Sequence, residues 1–209
     1  MIQSKCKICR RVGTKLFLKG EKCISAKCLM IKKPYAPGPR SKRPNRSSSE
    51  YAKELREKQR LKNWYNLRDR QFRNYVDAVM EKRGQVQDAG NLLIQKLESR
   101  LDNVVYRLGF AASRSQAKQM TTHGHFLVNG KKVDVPSCQI KKGDVVSLRP
   151  SSKAKPLFAN ITAILKKSTP PLWLKLDPAK LEGKVIGEPN LEEVSPPAEI
   201  SSIFEFYSR

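Results

Sequence analysis

The stretch that decides the fold is LESRLDNVVYRLGFAASRSQAKQMTTHGHFLVNGKKVDVPSCQIKKGDVVSL, residues 97–148. Apolar residues recur at helical spacing from Leu97 to Leu108, and Gly109 follows where a helix would end in a left-handed conformation. The tetrapeptide Ser113-Arg114-Ser115-Gln116 has the pattern of a capping box, in which the glutamine side chain reaches back to the first serine amide. The sequence therefore predicts one short helix, a turn, and a second helix.

Short strands are expected after the second helix. Phe126–Val128 runs into Asn129-Gly130, a dipeptide that tolerates the positive φ angles of a two-residue hairpin turn. Val133 and Val135 then alternate as they would in a strand, and Val145–Leu148 forms a plausible closing strand. The segment as a whole predicts a helix-turn-helix followed by a small antiparallel sheet.

The composition points to a polyanionic partner. The chain has 209 residues, of which 42 are Lys or Arg and 19 are Asp or Glu, giving a net charge of +23. So much charge on a small protein is costly by self-repulsion unless a polyanion neutralises it, and nucleic acid is the leading candidate. No apolar run approaches the roughly 18 residues of a membrane span, and no secretory signal is evident. We therefore expect a cytoplasmic protein with no membrane partner.

The charge is distributed unevenly along the chain. Residues 1–46 contain fourteen Lys or Arg and one acidic residue, Glu21. Residues 186–209 contain five Glu and one Arg. The acidic side chains of this tail are either merely solvated or face a basic protein neighbour. As a protein interface we single out Glu192, Glu193 and Glu199.

Four cysteines near the amino terminus have the spacing of a metal site. Cys6 and Cys9 are followed, after thirteen residues, by Cys23 and Cys28. A thiolate quartet satisfies a tetrahedral structural zinc ion, and disulfides are disfavoured in the cytosol. A four-iron, four-sulfur cluster takes the same four ligands, so the sequence leaves zinc and iron–sulfur open. Either group would be structural, because four thiolates leave no open coordination position.

Two further helices are expected after a proline-rich, basic arm over residues 32–46. Ser47-Ser48-Ser49-Glu50 has the pattern of a capping box and predicts a helix over about 48–65. A second helix is predicted from Arg70 to about Lys82. Its aromatic and apolar residues recur at the spacing of a core face rather than a base-stacking surface. They are Phe72, Tyr75, Val76, Val79 and Met80.

Cations and amides on these segments are candidates for nucleic-acid contacts, because Arg grips phosphate bidentately and amides reach sugar hydroxyls. For His123 and His125, turn chemistry around Gly124 is the simpler explanation, and they are included because the family that this sequence resembles, described below, uses this turn beside RNA. In the knuckle and arm the candidates are Arg10, Arg11, Lys15, Lys19, Lys22, Arg40, Arg43 and Arg46. In the helical segment they are Tyr51, Lys53, Arg56, Lys58, Gln59, Arg60, Lys62, Arg70 and Arg73. In the segment that decides the fold they are Arg100, Asn103, Arg107, Arg114, Gln116, Lys118, His123 and His125.

Three blocks of the sequence together resemble one family. ESRLDNVVYRLGFAASRSQAKQMTTHGHFLVNGKKVDVPSCQIKKGDVVSLR, residues 98–149, is similar to the RNA-binding module of small-subunit ribosomal protein four. LREKQRLKNWYNLRDRQFRNYV, residues 55–76, resembles the helical domain of the bacterial form, and IFEFYSR, residues 203–209, resembles its carboxy-terminal end. Some bacterial members carry the same cysteine spacing with a metal.

The resemblance implies an α+β fold in three parts. They are a four-cysteine metal knuckle and basic arm over 1–46, a helical domain over 47–90 completed by 186–209, and an inserted RNA-binding module over 91–185. It also implies direct binding to a multi-helix junction of small-subunit ribosomal RNA early in assembly, close to the messenger RNA entry path. The acidic tail would meet small-subunit ribosomal protein five, at an interface that influences decoding accuracy.

No enzymatic activity is expected. Arg100-Leu101-Asp102 matches a tripeptide whose carboxylate is catalytic in pseudouridine synthases, but the sheet domain that carries it in those enzymes is absent from this sequence. The remaining alternatives are a regulator that binds DNA or messenger RNA and an accessory of an RNA-modifying enzyme. We expect the chain to act in the small subunit of a bacterial or organellar ribosome.

Overall fold

The chain folds into two compact units in the computed structural model, which describes residues 4–39, 49–82 and 88–209. One unit comprises Met1–Gly90 with Ser195–Arg209, and the other comprises Asn91–Val194. Of the candidate contact residues, Arg40, Arg43 and Arg46 lie outside the described residues. No helix within the three described ranges is long and apolar enough to cross a membrane.

The secondary structure combines helices with a small sheet. The helices are α1 (Lys5–Val12), α2 (Glu21–Ile24), α3 (Leu29–Lys32), α4 (Glu50–Trp64), α5 (Asp69–Met80), α6 (Ala89–Glu98), α7 (Leu101–Arg107), α8 (Arg114–Thr122), α9 (Pro150–Lys153), α10 (Ile161–Lys167), α11 (Leu191–Val194) and α12 (Ile200–Ser208). The strands are β1 (Phe126–Val128), β2 (Lys131–Lys132), β3 (Val145–Leu148), β4 (Leu174–Asp177) and β5 (Glu182–Val185). The α+β fold class predicted from the sequence is confirmed.

The first unit is helical, and its last helix comes from the far end of the chain. Helix α12 packs on α4 and α5. Phe72, Val76 and Ile203 lie fully buried in this unit. Ser47 and Ser48 of the predicted capping box lie outside the described residues. Helix α4 is capped by Ser49, whose hydroxyl accepts the hydrogen bond from the Ala52 amide at 3.3 Å. The carboxy-terminal segment thus completes a core that the first ninety residues begin.

The helix expected across residues 97–108 is two helices, α6 and α7. The chain breaks at Arg100, which forms an isolated β-bridge with Gln139. The amide of Leu101, the first residue of α7, donates to the carbonyl of Cys138 at 2.8 Å. A helix amino terminus leaves its first amides without partners inside the helix, and here a neighbouring loop supplies one acceptor. Tertiary contact therefore overrides the continuous apolar periodicity.

The termini around α7 and α8 otherwise follow their local sequence. Gly109 has φ +88°, as predicted for a left-handed helix end. The Ser113 hydroxyl accepts from the Gln116 amide at 3.3 Å, so Ser113 caps α8. The glutamine half of the capping box differs from the prediction, because Gln116 Oε1 accepts from the amide of Ala112 rather than that of Ser113.

The second unit contains one antiparallel sheet with strand order β2-β1-β3-β5-β4. Asn129 and Gly130 have φ values of +49° and +78°, as the hairpin turn requires. Strand β2 ends at Lys132, so Val133 and Val135 lie outside it, contrary to the predicted alternation. The reason is a turn in which the Cys138 amide donates to the Val135 carbonyl and leads the chain away to the bridge with Arg100.

Residues 186–194 belong to the second unit, whereas the sequence assigned them to the helical domain. The amide of Ile186 donates to the carbonyl of Trp173 at 2.9 Å. The amide of Leu191 donates to Asn91 Oδ1 at 3.1 Å. These bonds extend the second unit past the boundary at 185, as far as Val194.

Candidate nucleic-acid interface

The knuckle presents cations around a small buried cluster. Arg11, Lys19 and Lys22 are exposed, and Lys15 is half-buried. Arg10 is held in place, because its Nε donates to the Tyr35 carbonyl at 2.8 Å and its guanidinium lies 4.9 Å from the centroid of the Tyr35 ring. The exposed cations can approach a phosphate backbone without breaking an internal contact that the structure shows.

The four knuckle thiols line one small cavity. Cys9, Cys23 and Cys28 are buried and Cys6 is half-buried. Burial raises the pKa of the Cys9 thiol, and the other three cysteines add to that rise. The amide of Lys19 donates to Cys23 Sγ at 3.4 Å, the kind of contact that supports a thiolate ligand.

In the described residues, no group of three or more His, Cys, Asp or Glu side chains is arranged closely enough to hold a metal ion. The four knuckle cysteines would be the ligands of a bound metal. Their shared cavity and the amide donor suit a small structural ion, so the chemistry of the donor set fits the predicted metal.

Only some of the helical-unit cations point outward. Lys58 and Lys62 are mostly buried and pair with Asp69 at 3.5 Å and 2.9 Å. Lys58 also lies 4.7 Å from the centroid of the Phe206 ring. Burial acts to raise the pKa of Asp69, but the neighbouring Lys62 and Lys58 outweigh it and hold that pKa below its usual range. Both lysines are therefore engaged inside the unit, and their contact with nucleic acid stays a prediction.

The remaining candidates of the helical unit divide between internal pairs and exposed positions. Arg60 pairs with Glu57 at 2.7 Å. The Tyr51 ring lies 5.5 Å from the Phe206 ring, centroid to centroid, so one side of an otherwise exposed ring is covered. Gln59 is half-buried. The exposed cations are Lys53, Arg56, Arg70 and Arg73.

A buried carboxylate organises the helices of the second unit. Glu98 is fully buried and receives two hydrogen bonds from Arg107, from Nε at 2.9 Å and from Nη2 at 2.8 Å. The Asn103 amide donates to the same carboxylate at 2.6 Å. Arg114 Nε donates to Asn103 Oδ1 at 2.8 Å, and Nη2 of Arg114 lies 3.8 Å from Glu98. We refer to these four residues as the Glu98 network.

The Glu98 network changes the interpretation of the helix cations. Asn103 and Arg114 are buried rather than projecting, and the guanidinium of Arg114 lies 4.7 Å from the centroid of the Tyr106 ring. Within the network it is Arg107 that reaches solvent, with 22% of its side chain exposed. Sequence spacing could not reveal the role of Glu98, because its partners lie further along the chain on other helices.

Arg100 also points inward, contrary to expectation. It is 1% exposed and forms a bidentate pair with Asp102, from Nε at 3.0 Å and from Nη2 at 2.7 Å. The pair occupies the Asp102 carboxylate, which is the group that is catalytic in the matching tripeptide of pseudouridine synthases.

The two histidines differ. His123 is exposed, whereas His125 is 4% exposed with its Nδ1 2.9 Å from the Ser152 hydroxyl. Burial lowers the pKa of His125, and Lys155, His123 and Arg149 lower it further. Of the other candidates, Lys118 is half-buried, and Gln116 is used at the start of α8. His123 is therefore the histidine available to a ligand.

Exposed lysines on the turns and strands of the second unit were missed by the sequence reasoning. Lys175 and Lys184 lie opposite each other on neighbouring strands. The exposed set comprises Lys131, Lys132, Lys141, Lys142, Lys175, Lys180 and Lys184. Two adjacent lysines just before the predicted strand Val145–Leu148 were the available signal for Lys141 and Lys142.

The acidic candidates are exposed and partly engaged. Glu193 Oε1 accepts from the Leu172 amide at 2.6 Å. Glu199 accepts from the hydroxyls of Ser201 and Ser202 at the start of α12. Glu192 is exposed beside Glu193. These bonds give Glu193 and Glu199 a local structural role.

Comparison with known proteins accounts for nearly the whole chain. Residues 1–98 match the ribosomal protein S4/S9 N-terminal domain, and residues 99–146 match the S4 domain. The small ribosomal subunit protein uS4A of Symbiobacterium thermophilum is 45% identical over 204 residues, covering 98% of this chain and 96% of that protein. The chain belongs to the uS4 family. The uS4 proteins of Kosmotoga olearia and Thermus thermophilus are 45% and 44% identical, each over 205 residues with the same coverage.

Both compact units therefore fall within the uS4 match. The resemblance identified from three sequence blocks is confirmed over nearly the full length. Within the second unit, the exposed cations are available to a ligand, whereas the buried Glu98 network is internal.

Proposed function

We propose that this uS4 chain is a structural constituent of the small ribosomal subunit that binds small-subunit ribosomal RNA directly, at a multi-helix junction. The observation that carries the proposal is the near full-length match to uS4 proteins. The net charge of +23 and the exposed cations on both units support it. Its role is architectural, because the one carboxylate that resembles a catalytic group, Asp102, is paired with Arg100 inside the protein.

Binding would combine counterion release with shape recognition. Each Lys or Arg that neutralises a phosphate releases condensed ions, which makes the affinity fall steeply with salt. The buried Glu98 network and the Lys62–Asp69 pair hold the helices rigid, so the exposed cations occupy fixed positions. Fixed positions favour one folded RNA shape over a flexible polyanion. Binding early in assembly would let the protein organise the RNA junction.

The test is a filter-binding titration of the full chain against small-subunit ribosomal RNA, duplex DNA, its own messenger leader and heparin at matched salt. We expect the ribosomal RNA to bind most tightly, with a log–log salt slope of several units if roughly six phosphates are neutralised. Equal affinity for all four polyanions would refute the proposal. Tightest binding to the messenger leader would instead favour a regulator.

We further propose that Cys6, Cys9, Cys23 and Cys28 hold a structural Zn²⁺, with an iron–sulfur cluster as the alternative. The metal would supply a fixed cross-link between α1 and the segment around α2, in a part of the chain whose apolar cluster is small. The supporting observations are the shared cavity of the four thiols and the amide donor to Cys23. The variant Cys9→Ser removes one proposed ligand. The same substitution at Cys138, in the other unit, is the control.

Elemental analysis and the visible spectrum of the purified chain test this assignment. One zinc per chain with no visible absorbance is expected, whereas iron with broad visible absorbance would favour the cluster. Cys9→Ser should lose metal and Cys138→Ser should retain it. If both variants retained the metal, the ligand assignment would be refuted.

The exposed carboxylates of Glu192, Glu193 and Glu199 are proposed to face a basic protein neighbour, small-subunit ribosomal protein five, with messenger RNA passing nearby in the ribosome. An influence on decoding accuracy would follow from that interface. Reversal of Glu192 to Lys should weaken binding of protein five in a pull-down and raise misreading in a reporter assay. Unchanged binding would contradict the interface. Glu188→Lys provides a control of equal charge change.

A further inference from the structure

The knuckle contains an exposed aromatic side chain on a strained backbone. Phe17 has φ +52°, a left-handed conformation that bulky residues rarely adopt. Its side chain is 44% exposed. Such outliers persist only where the surroundings enforce them, and they concentrate at functional sites. The position therefore calls for a physical explanation.

The neighbours of Phe17 force its ring outward. Leu16 and Leu18 are buried in the cluster that also contains Cys9 and Val12. With the residues on both sides anchored in the same cluster, the side chain between them must face the other way. The amide of Gly20 donates to the Phe17 carbonyl at 3.4 Å and closes a turn behind it. The fold thus presents a rigid aromatic face whose exposure is built in.

Cations flank Phe17 in the chain. Lys15 and Lys19 lie on either side of it, and all three are among the residues that line the cavity shared by the four cysteines. An aromatic ring between lysines is the arrangement by which proteins hold single-stranded nucleotides, since the ring stacks on a base while the lysines contact the flanking phosphates. Lysines on both sides of the ring favour an anionic ligand, and the proposed function supplies one in RNA.

We propose that Phe17 stacks on an unpaired base of the bound RNA. The inference rests on the proposed function and adds a base-stacking contact to it. Tyr35 cannot serve in the same way on the side of its ring that Arg10 covers. Ile24, 76% exposed in the same knuckle, has no π face and is the matched control for loss of apolar surface.

The experiment measures affinity for small-subunit ribosomal RNA at several salt concentrations. Phe17→Ala and Phe17→Leu should each weaken binding by about 5- to 150-fold with an unchanged salt slope, because stacking releases no counterions. Phe17→Trp should bind at least as well as the unmodified chain. Ile24→Ala should change affinity less than about twofold. Lys19→Ala should reduce the salt slope by about one unit.

A spectroscopic readout makes the test independent of folding defects. Phe17→Trp adds a fluorophore, and the added emission should be quenched when RNA binds and the indole stacks on a base. Circular dichroism and metal content establish that each variant is folded, and Phe17→Leu retains the bulk if Phe17→Ala does not fold.

Three results would overturn the inference. They are affinities of Phe17→Leu and the unmodified chain that agree within about twofold, an equal loss in Ile24→Ala, and added emission in Phe17→Trp that RNA leaves unquenched. Failure of the unmodified chain to prefer ribosomal RNA would instead refute the proposed function.

Discussion

Removal of the Glu98 carboxylate should destabilise the second unit strongly. Glu98 is fully buried and accepts three hydrogen bonds, two of them from the Arg107 guanidinium. Glu98→Ala would leave Arg114 buried without its nearest carboxylate, and Asn103 would lose an acceptor. Breaking one partner out of a buried ion pair costs about 3–5 kcal/mol. Because Arg107 can turn toward solvent, we expect a loss at the low end, about 3 kcal/mol.

The assay is hydrogen exchange of the α7 and α8 amides, combined with urea unfolding of the full chain. Exchange is the sharper measurement, because a chain of two compact units need not unfold in one step. Glu188→Ala is the control, since that carboxylate is exposed and accepts a bond from Gln95 at 3.2 Å. A surface change of this kind should cost less than about 0.5 kcal/mol. Equal effects of Glu98→Ala and Glu188→Ala would refute the reasoning.

Three other perturbations should lower the free energy of unfolding, for reasons that the structure shows. The pKa of buried His125 is lowered, so the unfolded chain takes up the proton first as the pH falls. The free energy of unfolding present above pH about 6.5 should therefore decrease as the pH drops below that value. In His125→Gln, the urea concentration at the unfolding midpoint should depend less on pH in that range. Gly183→Val should cost about 1–3 kcal/mol by calorimetry, because a Cβ there would collide with the Leu108 side chain. Deletion of Arg209 should cost about 1–2 kcal/mol, since the buried Glu54 carboxylate loses its 2.7 Å partner; increased exchange in α12 should accompany the loss, and unchanged exchange would contradict it.

Local sequence signals predicted the elements that are stabilised by contacts between residues close together in the chain. The caps at Gly109 and Ser113 and the Asn129-Gly130 turn each depend on residues close together in the chain, and strand β3 formed over Val145–Leu148, where the sequence predicted a closing strand. The break between α6 and α7 was not predictable, because the acceptor for the Leu101 amide comes from Cys138, far along the chain. Apolar periodicity cannot register such a partner.

The candidate site shows the same division. Composition and spacing identified the exposed cations of the knuckle, such as Lys19 and Lys22, because solvation is their default state. Composition and spacing could not separate these exposed cations from cations that form ion pairs inside the protein. Whether Arg114 projects or is buried depends on Glu98, a carboxylate on another helix that the fold brings to 3.8 Å from it.

The placement of α12 has a consequence for synthesis. The second unit is one continuous stretch, Asn91–Val194, so a nascent chain contains all of it before α12 is made. The first unit needs Ile203 and Phe204, which are translated after the whole of the second unit, to close over α4 and α5. We therefore expect vectorial maturation, in which the middle of the polypeptide becomes native while its amino-terminal helices still await their final partner. A translational stall shortly before the codons of α12 would leave the second unit folded and the first unit without the helix that closes its core.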